Sequence, residues 1–264
     1  MTACLPAIAR ADTDLVHALH PSMNFGARRG DAGPSILLLH YTGVATAETA
    51  ISWLADPRSQ VSCHYVVDEA GRITQMVAEA HRAWHAGAGS WAGDGDINSS
   101  SIGIEIHNVG HVAGYPDFPA AQIDAVIALS RDIIRRHGIS AARVLAHSDV
   151  APQRKIDPGE KFPWDRLAAE GIGHWVAPAP LDPADAGLGL GTRNEAVRDV
   201  QRALRAYGYA IDPTGELDVA TEFVLKAFQR HFRPARVDGR LDGSTAATLQ
   251  ALRTALAGRP ETTA

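Results

Sequence analysis

The order of apolar and polar positions divides the chain into short unbroken runs and longer stretches with helical spacing. Ile36-Leu37-Leu38-Leu39 is a short apolar run without a period, ending abruptly in His40, Tyr41 and Thr42. Such a run predicts a strand covered on both faces. Ala47, Ala50, Ile51 and Leu54 then recur at helical spacing. Thr46 is placed to cap that helix, Glu48 lies in its first turn and Asp56-Pro57 ends it. Runs over 61–67 and 72–77 flank Asp68-Glu69-Ala70-Gly71 and predict a hairpin. Residues 84–98, rich in Gly, Ser, Asp and Trp, read as a long surface loop. Ile102, Ile104 and Ile106 alternate with Gly103, Glu105 and His107, the period of a strand with two different faces. Residues 119–137 give the strongest helical pattern, with Ile123, Val126, Ile127, Ser130, Ile133 and Ile134 as its inner stripe and Gly138 as its stop. Val144-Leu145-Ala146 is a further short strand ending in histidine, His147, and a short helix follows Phe162-Pro163. Residues 1–34, punctuated by Pro and Gly, read as irregular.

This alternation predicts an α/β domain over 1–176 with a mixed central sheet flanked by helices. Residues 177–191 are rich in Pro, Gly and Ala and read as a linker. The remainder, 192–264, predicts a small three-helix domain with helices over 194–207, 221–232 and 244–256, the last two capped by Thr221 and Ser244. The loops ahead of these two helices end alike, on Gly215-Glu216-Leu217-Asp218 and Gly239-Arg240-Leu241-Asp242, the mark of a small internal repeat.

Composition narrows the classes. With 264 residues, 45% hydrophobic and 21% charged, the chain is an ordinary globular one. A net charge of -5 and the lack of a basic stripe argue against nucleic-acid binding. Two cysteines, Cys4 and Cys63, make no disulfide framework, and no apolar run has the length of a membrane span. The N-terminus lacks the basic and apolar regions of a signal peptide, so the expectation is a cytoplasmic protein, with the periplasm or cell envelope as the alternative.

The chemistry gathers at strand ends. A histidine at the exit of a buried strand is held by a fixed backbone, and His40 and His147 both sit there. Asp157 follows in Lys155-Ile156-Asp157-Pro158-Gly159. Two imidazoles and one carboxylate form an N/N/O set with a fourth position open, the donor logic of a catalytic rather than a structural zinc site. Asp149, beside His147, is a candidate for orienting it. His64, alternating with apolar neighbours, reads as a packed or supporting histidine, and Cys63 as a small buried hydrophobe. His81, His107, His111 and His137 read as structural or solvent-facing.

Six ordered motifs carry a resemblance. They are Leu38-Leu39-His40-Tyr41-Thr42, Ser62-Cys63-His64-Tyr65, Ala83-Trp84-His85-Ala86-Gly87, Ser101-Ile102-Gly103-Ile104-Glu105, Ala146-His147-Ser148-Asp149 and Lys155-Ile156-Asp157-Pro158-Gly159. Together they resemble the zinc-dependent N-acetylmuramoyl-L-alanine amidases, a group that includes anhydro-muropeptide recycling amidases and peptidoglycan-recognition proteins. The resemblance implies that His40, His147 and Asp157 bind Zn2+, that Glu105 moves the water proton to the leaving amine, and that Lys155 stabilises the developing oxyanion. Trp84, His85 and Asn98, in the long loop, and Arg154, whose guanidinium suits a stem-peptide carboxylate, are candidate substrate contacts. The C-terminal helices, with Val200-Gln201, Ala227-Phe228-Gln229 and the paired Asp/Gly loops, resemble the three-helix peptidoglycan-binding domain of wall hydrolases, from which Gly215-Glu216-Leu217-Asp218 departs. The implied ligands are peptidoglycan or muropeptide fragments, and no protein partner is implied. The presence of all three candidate ligands and Glu105 favours an enzyme over the alternative of a non-cleaving peptidoglycan-recognition protein, while the ligands alone leave open a zinc peptidase acting on the stem peptide.

Overall fold

A computed structural model describes residues 8–30 and 33–258, so Cys4 lies outside the described residues. Among the described residues, eight strands form two sheets. In chain order they are β1 (Ala18–Leu19), β2 (Phe25–Ala27), β3 (Ile36–Tyr41), β4 (Tyr65–Val67), β5 (Ile73–Gln75), β6 (His81–Ala83), β7 (Ser101–Ile106) and β8 (Val144–Ala146). The helices are α1 (Ala47–Ala55), α2 (Ile97–Ser100), α3 (Ala120–His137), α4 (His147–Val150), α5 (Trp164–Ala169), α6 (Glu195–Tyr207), α7 (Val219–Phe232) and α8 (Gly243–Ala257).

The main sheet runs β1-β5-β4-β7-β3-β8. β4 and β5 pair antiparallel and the other neighbours pair parallel, so the sheet is mixed, as the alternation of elements predicts. β3 lies inside the sheet between β7 and β8, and Ile36 to Leu39 are fully buried. Parallel pairing needs cover on both faces, which is why that strand carries no alternation. Register then fixes the chemistry: His40 pairs with Glu105, and Glu105 with Val66, so the three project to one face of the sheet. On that face Val66 packs with Leu54 of α1, Cys63 and Met76. Thr46 caps α1 by accepting the Thr49 amide, and Gly138 in a left-handed conformation ends α3. In α3 the inner stripe also takes in Leu129 and Gln122, whose carboxamide donates to the carbonyls of Val67 and His107.

Three local readings change. The stretch 1–34 is not irregular throughout, since β1 adds to the edge of the main sheet and β2 pairs with β6. Strands of two or three residues are too short to show a period. The loop 84–98 ends in the single turn α2, and Trp91 in its middle is buried rather than a surface residue. The caps of α7 and α8 are Asp218 and Asp242, whose carboxylates accept the amides of Thr221 and Thr245. The two helices therefore start earlier than caps at Thr221 and Ser244 predict. Both Asp and Thr are good capping residues, and here the carboxylate that accepts the amide three residues on decides.

The chain forms two compact units. The first comprises Met1–Gly89 and Asp96–His147, the second Ser90–Gly95 and Ser148–Ala264. The second unit joins the segment after His147 to the three C-terminal helices. Its repeat is built around two glutamines. Gln201 accepts the Gly215 amide and donates to the Glu216 carbonyl and Thr221 hydroxyl. Gln229 accepts the Asp238 and Gly239 amides and donates to the Arg240 carbonyl and Thr245 hydroxyl. The stretch over 177–191 lies along these helices, with the Ala179 amide on Thr248 and Leu188 bridged to Leu241. Among the described residues no helix is long and apolar enough to cross a membrane.

Candidate metal centre

Three buried side chains converge. His40, at the end of β3, His147, at the start of α4, and Asp157 each offer one ligand atom, and these atoms lie within 4.8 Å of one another. The hydrogen bonds around the two rings fix which nitrogens face the centre. His147 Nε2 lies 3.0 Å from the Ala86 carbonyl, which only accepts, so Nε2 carries the proton and Nδ1 the lone pair. The Ser101 hydroxyl donates to the Ile97 carbonyl and so accepts from His85 Nε2 at 3.2 Å. His85 Nδ1 is then the acceptor for His40 Nε2–H at 3.0 Å. His40 Nδ1 is left with its lone pair, 2.8 Å from His147 Nδ1. The two Nδ1 atoms thus face each other inside the centre, beside the Asp157 carboxylate. That donor set, with the carboxylate of Asp157, suits a divalent ion of zinc type.

The wall behind His40 is built from the loop and β7. Asn98 accepts the backbone amides of His85 and Ala86 on its side-chain oxygen, so it holds the peptide carrying His85 and the Ala86 carbonyl. The His85 ring lies over Gly103, where a Cβ would come 2.5 Å from Nδ1. Glycine at 103 is therefore the space that admits the ring. Burial, then the neighbouring rings of His40, His64 and His147, hold His85 well below the usual imidazole pKa, so it stays neutral as the relay requires. His64 takes the Gly103 amide on Nδ1 at 3.0 Å and faces the His81 carbonyl with Nε2 at 3.1 Å. Burial and the Arg28 guanidinium push its pKa down to about 3, consistent with a packed supporting ring.

The other candidates lie as follows. Glu105 is half-buried on β7 beside His40 in register. Trp84 is half-buried and its amide donates to Ser62. Arg154 is exposed and Lys155 half-buried, and both of their amides close on the Ala151 carbonyl. Asp149 receives hydrogen bonds from Tyr209 and His231 of the helical module, a connection with no signal in the sequence because both partners are remote in the chain. Of the remaining histidines, His81 stacks on Phe25, His111 on Tyr115, His107 meets Thr42 and Glu69, and His137 meets Glu79.

Two family descriptions match the chain: N-acetylmuramoyl-L-alanine amidase over residues 30–160, and peptidoglycan binding domain over residues 193–249. The chain is similar to N-acetylmuramoyl-L-alanine amidase AmiD of Escherichia coli (strain K12), at 38% identity over 229 residues, 82% of this chain and 81% of that protein. Its fold is similar to the E. coli AmiD structure in complex with the substrate anhydro-N-acetylmuramic acid-L-Ala-D-gamma-Glu-L-Lys, with a TM-score of 0.72, 35% identity, and coverage of 87% of this chain and 92% of that one. It is also similar to AMPDH3 from Pseudomonas aeruginosa in complex with anhydromuramic pentapeptide, with a TM-score of 0.68, 34% identity, and coverage of 84% and 92%.

Proposed function

The chain belongs to the N-acetylmuramoyl-L-alanine amidase family, and from that premise we propose that it hydrolyses the amide between N-acetylmuramic acid, or its 1,6-anhydro form, and L-alanine in peptidoglycan or muropeptides. The observation that carries this reading is the buried N/N/O donor set, with two facing Nδ1 atoms beside a carboxylate. His40, His147 and Asp157 would hold Zn2+, and three protein ligands leave a further position for water or substrate. When bound, zinc there supplies Lewis acidity toward a water and toward the scissile carbonyl.

The chain's own residues do the rest. Glu105, on the same sheet face as His40, takes the proton of the attacking water and passes it to the departing alanine nitrogen. Lys155 places a positive charge where the oxyanion develops. Arg154 and Trp84, neither of them buried, contact the substrate. His85 and Asn98, both buried and bonded within the wall, act through His40 and the loop backbone instead. Functionally the chain divides into a catalytic part over 1–176, a connecting stretch over 177–191 and a peptidoglycan-binding part over 192–264.

The test is mass spectrometry after incubation with an anhydro-muropeptide and, separately, with sacculi. Release of stem peptide beginning at L-alanine is the expected result. Shortened peptides would make the chain a peptidase, and uptake without product a recognition protein. The ratio of the two substrates' rates sets the preference between polymer and fragment. Metal analysis of the purified chain should find close to one zinc per protein.

A further inference from the structure

The loop that carries Asp157 and Lys155 is fastened to the helical module at its root. Asp149, near the end of the short α4, has a fully buried carboxylate. Tyr209, just after α6, donates its hydroxyl to Asp149 Oδ1 at 2.6 Å. His231, on α7, donates from Nδ1 to Oδ2 at 2.7 Å. The His231 ring is itself clamped between two aromatic faces, Trp164 of α5 at 3.7 Å between centroids and Phe232 at 3.8 Å. From Asp149 the fastening reaches the candidate ligand in one step, because the neighbouring Ser148 amide donates to the Asp157 carbonyl at 3.0 Å. A second strap runs alongside: the Ser90 amide bonds the Val150 carbonyl, the Ala92 amide bonds the Gly208 carbonyl, and Trp91 meets Tyr207 and Tyr209 edge-on.

We propose that Asp149, Tyr209 and His231 are positioning residues, through which the C-terminal helices set the place of the loop bearing Asp157. A module that only tethered the protein to the wall would need a flexible connection and an outward ligand face. It would not need a buried carboxylate gripped at both oxygens. Apolar contact alone is non-directional, so one surface can slide on the other. Two hydrogen bonds to the two oxygens of one carboxylate fix both distance and orientation. Residues that orient metal ligands in this indirect way commonly alter metal affinity ten- to hundredfold when removed. The inference rests on the assignment of Asp157 as a ligand.

The experiment uses the full chain with three variants, Tyr209→Phe, His231→Leu and His231→Asn. Zinc affinity is read by competition with a fluorescent chelator, and kcat and KM are read on a soluble anhydro-muropeptide too small to engage the wall polymer. We expect Tyr209→Phe and His231→Leu each to weaken zinc binding about tenfold and to lower kcat while KM stays within about twofold. His231→Asn restores a donor close to the position of Nδ1 and should recover most of the affinity. Unchanged zinc affinity and kcat in folded variants, or a loss confined to binding of sacculi, would overturn the proposal. Should His231→Leu fail to fold, Tyr209→Phe, which removes a single oxygen, decides alone. If the wild-type chain binds zinc but releases no product, the amidase reading fails while the affinity measurements still decide the clamp.

Discussion

A glycine and a glutamate on one strand separate two requirements of the site, holding a metal and moving a proton. Gly103 leaves the space in which the His85 ring sits, and that ring holds His40 in the tautomer with its lone pair inward. Gly103→Ala puts a methyl 2.5 Å from His85 Nδ1, so the ring must leave its place. The expected outcome is a roughly tenfold or larger loss of zinc affinity in chelator competition, with secondary structure unchanged by circular dichroism. Zinc affinity equal to that of the wild type would show that His85 does not orient His40. His147→Ala should go further and abolish retention of zinc through a desalting column. Glu105→Gln should do neither. It should keep its zinc and lose about 10²–10⁴-fold in kcat, and full activity would remove Glu105 from the reaction. Strand-end histidines were legible because an apolar run that stops on a polar residue is visible in one dimension. The job of His85 was not, because the cavity over Gly103 exists only once β7 and the loop are in register.

Between elements, a buried electrostatic joint ties β4 to the end of α3. Glu79 is buried at 3% exposure and receives the Tyr65 hydroxyl at 2.6 Å, Arg136 Nη2 at 2.7 Å and His137 Nε2 at 2.7 Å. Burial alone would raise its pKa, but the bonds from Arg136, His137 and Tyr65 outweigh it and hold the carboxyl at about 2 against an ordinary 4.5. A folded-state pKa below the unfolded one stabilises the native state above the unfolded value, and that contribution fades as pH falls through the folded value. The joint should therefore be intact above pH 4.5 and lost toward pH 2, a contribution of roughly 3 kcal/mol at 1.36 kcal/mol per unit. Thermal unfolding of Glu79→Gln beside the wild type, from pH 2 to 7, checks it. Their stability difference should shrink below pH 4.5, and a constant difference would contradict the assignment. None of this joint is visible in the sequence, because Glu79, Tyr65 and Arg136 share no local pattern. What was visible were elements with a period, such as the helix over 119–137, and turns with strong chemistry, such as Asp68 to Gly71. The two-residue β1 had neither.

In the whole chain, the divisions by composition and by packing fall in different places. The Pro/Gly-rich stretch over 177–191 marks where composition shifts, whereas the second compact unit begins at Ser148 and includes Ser90–Gly95. Composition records where a linker could lie, and packing records which apolar faces need each other. Trp91 and Trp164 are 2% and 4% exposed; Phe162 is a local ring partner of Trp164, while Tyr207, Tyr209 and His231, which also cover them, come from the C-terminal helices or the turn after α6. A chain ended after Trp175 would uncover both indoles and remove Tyr209 and His231 from the buried Asp149. Each uncovered aromatic side chain forfeits about 1.5–3 kcal/mol, and each bond lost to the buried carboxylate about 1–3 kcal/mol. Together these losses match a large part of the ~5–15 kcal/mol that holds a typical domain folded. The expected outcome for a chain of residues 1–175 is a red-shifted tryptophan emission, binding of a hydrophobic dye and a melting temperature lowered by well over 10 °C. A truncated chain with the emission maximum and melting temperature of the full protein would mean that the catalytic part folds by itself and that the helices are an appendage.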